Sequence, residues 1–122
     1  MKKKLILVID DEEKILNVLE EGLELAKAYE IEVSQNALEF MDLVHQIKYD
    51  VLLIDHRMPD KSGSSLAKEV REKEGPNQVT PIIFISGYVK EVQKEVEKMQ
   101  STYFVQKPII LQSLTELIDK IT

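Results

Sequence analysis

Short apolar runs alternate along this chain with longer segments in which apolar residues recur every three or four positions. LILVI, from Leu5 to Ile9, is continuous and partly β-branched, and predicts a strand buried on both faces. From Glu12 to about Ala28, Ile15, Leu16, Leu19, Leu23 and Ala26 fall at helical spacing. IEVS (Ile31 to Ser34) predicts a short strand, and Asn36 is placed to cap a helix carrying Ala37, Phe40, Met41, Val44 and Ile47 on one face. VLLID (Val51 to Asp55) is the third strand. After a loop with Pro59 and Gly63, a helix is predicted from Ser64 to about Glu74, with Leu66, Ala67 and Val70 inward and Gly75-Pro76 as its stop. PIIFIS (Pro81 to Ser86) is the fourth strand, and a thin stripe of Val89, Val92, Val96 and Met99 marks the next helix. TYFVQ (Thr102 to Gln106) is the fifth strand. Leu111, Leu114, Ile118 and Ile121 mark the last helix.

Five strand–helix pairs with continuous apolar strands predict an α/β fold: a parallel sheet covered by helices on both faces. Right-handed crossovers restrict the topology, and the common order for five strands is 2-1-3-4-5. No repeat or linker divides the 122 residues, so one domain over 1–122 is expected.

Composition narrows the function classes. The net charge of −6 argues against a nucleic-acid surface, and Lys2, Lys3 and Lys4 read as solubilising residues before the first strand. The chain has no cysteine, which excludes disulfides, thiolate metal sites and cysteine nucleophiles. The N-terminal apolar stretch is too short for a signal peptide, and no run approaches a membrane span, so a cytoplasmic location away from the membrane is expected.

In a sheet of this order, ligands bind beyond the carboxyl ends of the strands, where the strand order reverses. The polar residues that follow the strands are therefore informative. Asp10, Asp11 and Glu12 follow the first strand, Asp55 ends the third, Ser86 and Gly87 end the fourth, and Lys107 and Pro108 follow the fifth. Carboxylates a few ångströms apart repel, by roughly 4 kcal/mol at ~4 Å and an effective dielectric of ~20. Lys107 offsets part of this, and Mg²⁺ suits a site of one or two carboxylates plus waters. Taken alone, the acids after the first strand would read as favouring the next helix through its dipole. Beside Asp55 and Lys107, the pocket reading prevails. A carboxylate held beside Mg²⁺ and an ammonium is a nucleophile toward a phosphoryl group. Ser86 could instead cap the fourth helix, Lys107 could be an ordinary solvated lysine, and Phe104 could be core. His45 and His56 are not spaced with other ligands and read as structural or solvent-facing.

These stretches (VIDDE, LLIDHRMPDKSG in its D-x-x-M-P-x-x-x-G form, IIFISGY and FVQKP) closely resemble the receiver domain of response regulators in two-component signalling, in order and spacing over essentially the whole chain. The resemblance implies a flavodoxin-like fold and a phospho-accepting signalling domain rather than an enzyme. It implies that Asp55 is the phospho-acceptor, that Asp10 and Asp11 hold Mg²⁺ with the backbone carbonyl of Arg57, and that Lys107 pairs with the phosphoryl group. Ser86 would be the switch hydroxyl and Phe104 the switch aromatic. The donor would be a histidine on a partner histidine kinase or phosphotransfer protein. The surface of the fourth helix, fifth strand and fifth helix would report to a downstream protein or output domain, and is also where two copies would pair as a homodimer.

Some positions depart from the family pattern. Arg57, two residues past the acceptor, and Tyr88, two past the hydroxyl, stand where the family tunes dephosphorylation, and the bulky pair predicts slow self-hydrolysis. MQSTYF lacks the small Gly-Ala pair often found before the fifth strand, so a different turn is expected there. The fourth helix, charged and thinly apolar, is expected to be mobile. Three other readings compete. A pseudo-receiver would not need the full Asp10, Asp11, Asp55, Ser86 and Lys107 set. An aspartyl-phosphate phosphatase would need a carboxylate at position 57. An FMN protein would not place IDDEEK where the phosphate binds. The chain stops just after the last helix with no output domain, which fits a stand-alone regulator or a fragment of a larger one.

Overall fold

The computed structural model describes residues 2–122. Five strands alternate with five helices: β1 (Lys4–Ile9), α1 (Glu13–Leu25), β2 (Tyr29–Ser34), α2 (Ala37–Gln46), β3 (Val51–Asp55), α3 (Gly63–Glu72), β4 (Ile82–Ser86), α4 (Val89–Glu95), β5 (Thr102–Gln106) and α5 (Leu111–Ile121). The strands form one parallel sheet in the order β2-β1-β3-β4-β5, as the alternating pattern predicts.

Side chains alternate across a strand, so each apolar run feeds two cores. Leu7, Ile9, Leu52, Ile54, Ile82 and Phe84 face one side, where α2, α3 and α4 bring Phe40, Val44, Leu66, Val70 and Val92, and the residue after α4 adds Val96. Ile6, Val8, Val51, Leu53, Ile83 and Ile85 face the other, against Leu16, Leu19 and Leu23 of α1 and Leu114 and Ile118 of α5. Burial on both faces is why β1, β3 and β4 read as unbroken apolar runs. Among the described residues, no helix is long and apolar enough to cross a membrane.

Element ends differ from the periodicity in places. α1 stops at Leu25, Ala26 is exposed rather than inward, and Lys27 takes a left-handed φ of 59° that turns the chain into β2. β2 starts two residues early because Tyr29 is buried and its hydroxyl donates to Asp119 Oδ1 at 2.5 Å. α4 is only seven residues long; Val96 is buried just past it and Met99 lies beyond. Asn36 caps α2 as expected, accepting from the Glu39 amide at 2.8 Å. Before β5, Ser101 sits at φ 55°, and Arg71 donates to the carbonyls of Gln100 and Ser101 at 3.1 and 3.3 Å. A charged clamp thus holds the turn where a small-residue pair was missing.

Asn77 has no sequence signature of its own. It is buried, donates to the carbonyls of Val44 and Ile47 at 2.7 Å each, and accepts from the Tyr49 amide at 2.9 Å. One side chain thereby satisfies the end of α2 and the approach to β3, groups that would otherwise be buried without partners.

Candidate functional site

The sheet register sets the site. Asp55 is level with Ile85, and Ser86 stands one rung further out, level with Gln106. The Lys107 amide continues the ladder by donating to the Ser86 carbonyl at 2.8 Å, and the His56 amide donates to the Ile85 carbonyl at 3.0 Å. The Asp10 amide donates to the Ser34 carbonyl at 3.2 Å. Backbone pairing thus brings Asp10, Asp55, Ser86 and Lys107 to one edge of the sheet.

Asp10 and Asp55 are each 1% exposed, while Asp11 is exposed at the rim. Carboxylate oxygens of Asp10, Asp11 and Asp55 lie within 4.8 Å of one another. Asp10 Oδ1 accepts from the Glu12 amide at 2.9 Å, but its buried Oδ2 has no partner. Lys107 Nζ lies 2.9 Å from Asp55 Oδ1, an ion pair off the axis a hydrogen bond requires. An orphaned buried carboxylate oxygen beside two more carboxylates is a donor set for a hard divalent cation, so these residues fit Mg²⁺.

The electrostatics agree with the geometry. Burial pushes the Asp10 carboxyl up to about 6; Asp55 and Asp11 push the same way, against the Glu12 amide and Lys107. Burial also raises Asp55, with Asp11 and Glu12 adding to it and Lys107 opposing. For Lys107, burial acts downward, but Asp55, Asp10 and Glu12 outweigh it and the net shift is upward. A carboxyl raised on folding binds more protons in the native state, so its charge costs stability as pH rises from its ordinary value of 3.8 through about 6. Asp10→Asn is therefore expected to stabilise the protein in chelator at pH 8, by on the order of 2 kcal/mol. The gain should shrink as pH falls through 6 and vanish below about 3.8. Thermal melts across that range check this; a variant less stable than wild type at pH 8 would contradict it.

The remaining predicted residues separate into two groups. Ser86 is buried, and its hydroxyl accepts from the Tyr88 amide at 2.9 Å, so it closes the turn before α4 without capping the helix itself. Phe104 is half-buried, stacked on Phe84 with centroids 5.8 Å apart, and borders an open groove with Val89, Gln93 and Leu117. The Lys107–Pro108 peptide is cis. Arg57 points to the rim, where Nη2 donates to Glu91 Oε2 at 2.9 Å and Cζ lies 4.8 Å from the centre of the Tyr88 ring. Arg57 and Tyr88, which the sequence only paired by position, are thus in contact. His45 is exposed, with Nδ1 at 2.6 Å from the Met41 carbonyl.

His56 is buried, the first of the two places the sequence allowed it. The sequence showed no ligand spaced with it, yet folding sets its Nε2 3.4 Å from Glu95 Oε2 and brings Glu91 close. Glu91 and Glu95 were missed, and the only sequence signal was their i, i+4 spacing on a charged helix.

A family model described as the response regulator receiver domain matches residues 6–119. The regulatory protein AtoC of Escherichia coli is 32% identical over 117 residues, 94% of this chain; the chain spans about a quarter (24%) of that relative's length. The TrrA response regulator of Thermotoga maritima, solved in complex with Mg²⁺ and BeF, is 29% identical with a TM-score of 0.83 over 98% of this chain and 99% of the other. The chemotaxis protein CheY4 of Vibrio cholerae, 23% identical, superposes with a TM-score of 0.90 over 99% of this chain and all of the other, a likeness of fold.

Proposed function

The chain belongs to the response regulator receiver domain family, whose members are signalling domains, and from that premise we propose that Asp55 accepts a phosphoryl group from a histidine on a partner histidine kinase or phosphotransfer protein. The observation that carries this reading is the buried Asp55 carboxylate paired with Lys107 at 2.9 Å beside Asp10 and Asp11. In the transfer, an Asp55 oxygen forms a bond to phosphorus while the bond from phosphorus to the donor imidazole nitrogen breaks. The donor imidazole leaves with that electron pair. Lys107 and the Ser86 hydroxyl would then hold phosphoryl oxygens, a catalysis of placement and charge balance. Asp10, Asp11, Asp55 and the Arg57 carbonyl would hold Mg²⁺, which supplies charge neutralisation at the pocket when bound. TrrA, a response regulator by name and solved with Mg²⁺ and BeF, supports this assignment.

The same geometry supports a route for the signal. The Ser86 oxygen that accepts from the Tyr88 amide would turn toward the phosphoryl group, and the loop between β4 and α4 would move with it. Phe104, half-buried on the open groove it shares with Val89 of α4, would repack with it. The face of α4, β5 and α5 would then report the change to a downstream protein or output domain. Incubation with acetyl phosphate and Mg²⁺ tests the reading by intact mass. One phosphoryl group per chain, mapped to Asp55, is expected. An unmodified chain across several donors, with no beryllofluoride adduct, would favour a binding module that works without phosphorylation.

Arg57, two residues past Asp55, lies over Tyr88 and is held there by Glu91. Such a cover would slow the approach of water to the phosphoryl group. Arg57→Ala is expected to speed loss of the label by about two- to fivefold, a modest change because the cation–π contact is exposed. A decay time course in Mg²⁺ buffer measures it; an equal or slower rate would remove Arg57 from this role.

A further inference from the structure

Beyond the acidic pocket, a second set of ligating side chains gathers across 40 residues of sequence. His56, from the segment just after β3, meets Glu91 and Glu95 of α4, each offering a ligand atom within 4.8 Å of the others. We propose that these three side chains form a site for a divalent transition-metal ion of the Zn²⁺ class, separate from the acidic pocket.

The donor set selects the ion. One imidazole with two carboxylates suits Zn²⁺ and its neighbours, whereas Mg²⁺ and Ca²⁺ prefer oxygen ligands alone. Three protein ligands leave a fourth position for water, and both glutamates are exposed, so an ion has a way in. His56 supplies the independent observation. Its side chain is 3% exposed, Nδ1 has no hydrogen-bond partner, and Nε2 is turned to Glu95. Nε2 is thus the ring atom that the buried imidazole presents to the carboxylates, and an ion between them would take its lone pair.

The carboxylates are already oriented. Ser64 Oγ donates to Glu95 Oε2 at 2.6 Å, and Arg57 donates to Glu91 Oε2 at 2.9 Å. Metal-ligating carboxylates commonly carry such outer partners, which set their direction. Two glutamates against one guanidinium also leave a negative charge to be balanced within the cluster. An ion here would cross-link α4, whose buried apolar anchors are Val92 and the adjoining Val96, to the residue next to Asp55.

Calorimetric titration with Zn²⁺ in excess Mg²⁺ tests the site. His56 is buried and its replacement could disturb folding, so the exposed Glu95→Gln variant carries the test. The expected result is one Zn²⁺ per wild-type chain, retained in Asp11→Asn and weakened tenfold or more in Glu95→Gln. The ring signals of the chain's two histidines, followed by NMR, should shift for His56 and not for His45. Equal affinity in Glu95→Gln, loss confined to Asp11→Asn, a shift of His45 alone, or no binding would each overturn the proposal.

Discussion

Asp55→Asn is expected to abolish Mg²⁺-dependent phosphorylation while leaving the fold intact. The amide removes the anionic oxygen that would form the bond to phosphorus. Labelling should fall by about a hundredfold or more, since the bond-forming atom itself is lost. Unfolding would not explain the loss. The Asp55 charge is disfavoured by burial, with neighbouring Asp11 and Glu12 acting in the same direction against Lys107. Replacing it with a neutral group of the same shape relieves that cost, although it also ends the ion pair with Lys107. A thermal midpoint near that of wild type, together with an unlabelled chain, is the expected pair of results. Label appearing on the variant at the wild-type rate would move the acceptor to another residue, with Asp10 and Asp11 the nearest candidates.

Gly63→Ala is the second large effect, and it acts through space rather than charge. A Cβ at Gly63 would lie 2.7 Å from the Asp55 carbonyl oxygen, 2.9 Å from His56 Cα and 2.9 Å from Ile54 Cγ2. Two of these are backbone atoms of the strand end that carries the acceptor, and the Gly63 amide donates to the His56 carbonyl at 2.9 Å. Neither side can yield without moving β3 or the start of α3. Overpacking of this kind typically costs about 1–3 kcal/mol, and rigid backbone neighbours place this case toward the upper end. The melting midpoint should drop by on the order of 10 °C, and labelling of the folded fraction should slow because Asp55 is displaced. Gly87→Ala is the control, since a Cβ there meets nothing within 4 Å. Equal midpoints for the two variants would show that the loop yields freely.

Much of this was legible along the chain. The strands follow from apolar runs, and β3 and β5 have the predicted ends. The carboxylates, hydroxyl and lysine were found because a residue that follows a parallel strand sits at its carboxyl edge whatever the helices do. Where the pattern failed, the cause was specific. Tyr29 extends β2 through a hydroxyl bond to Asp119, 90 residues away, and α1 ends where Lys27 takes a left-handed conformation. Neither leaves a trace in hydrophobic periodicity, which reports burial and carries nothing about a distant polar partner.

The sequence by itself determined the layered α/β fold, the strand order expected of it and the set of polar groups at one sheet edge. All of these rest on local alternation and on the handedness of crossovers. Tertiary structure alone decided what surrounds that edge. It laid α4 across the segment after Asp55, so that Arg57 meets Glu91 and Tyr88, and His56 meets Glu95. It also turned the Ser86 hydroxyl toward the Tyr88 amide. The physical reason is that periodicity states which face of a helix is buried, while its placement over the sheet is set by packing against Val92 and Val96 and by polar contacts spanning 30 to 40 residues.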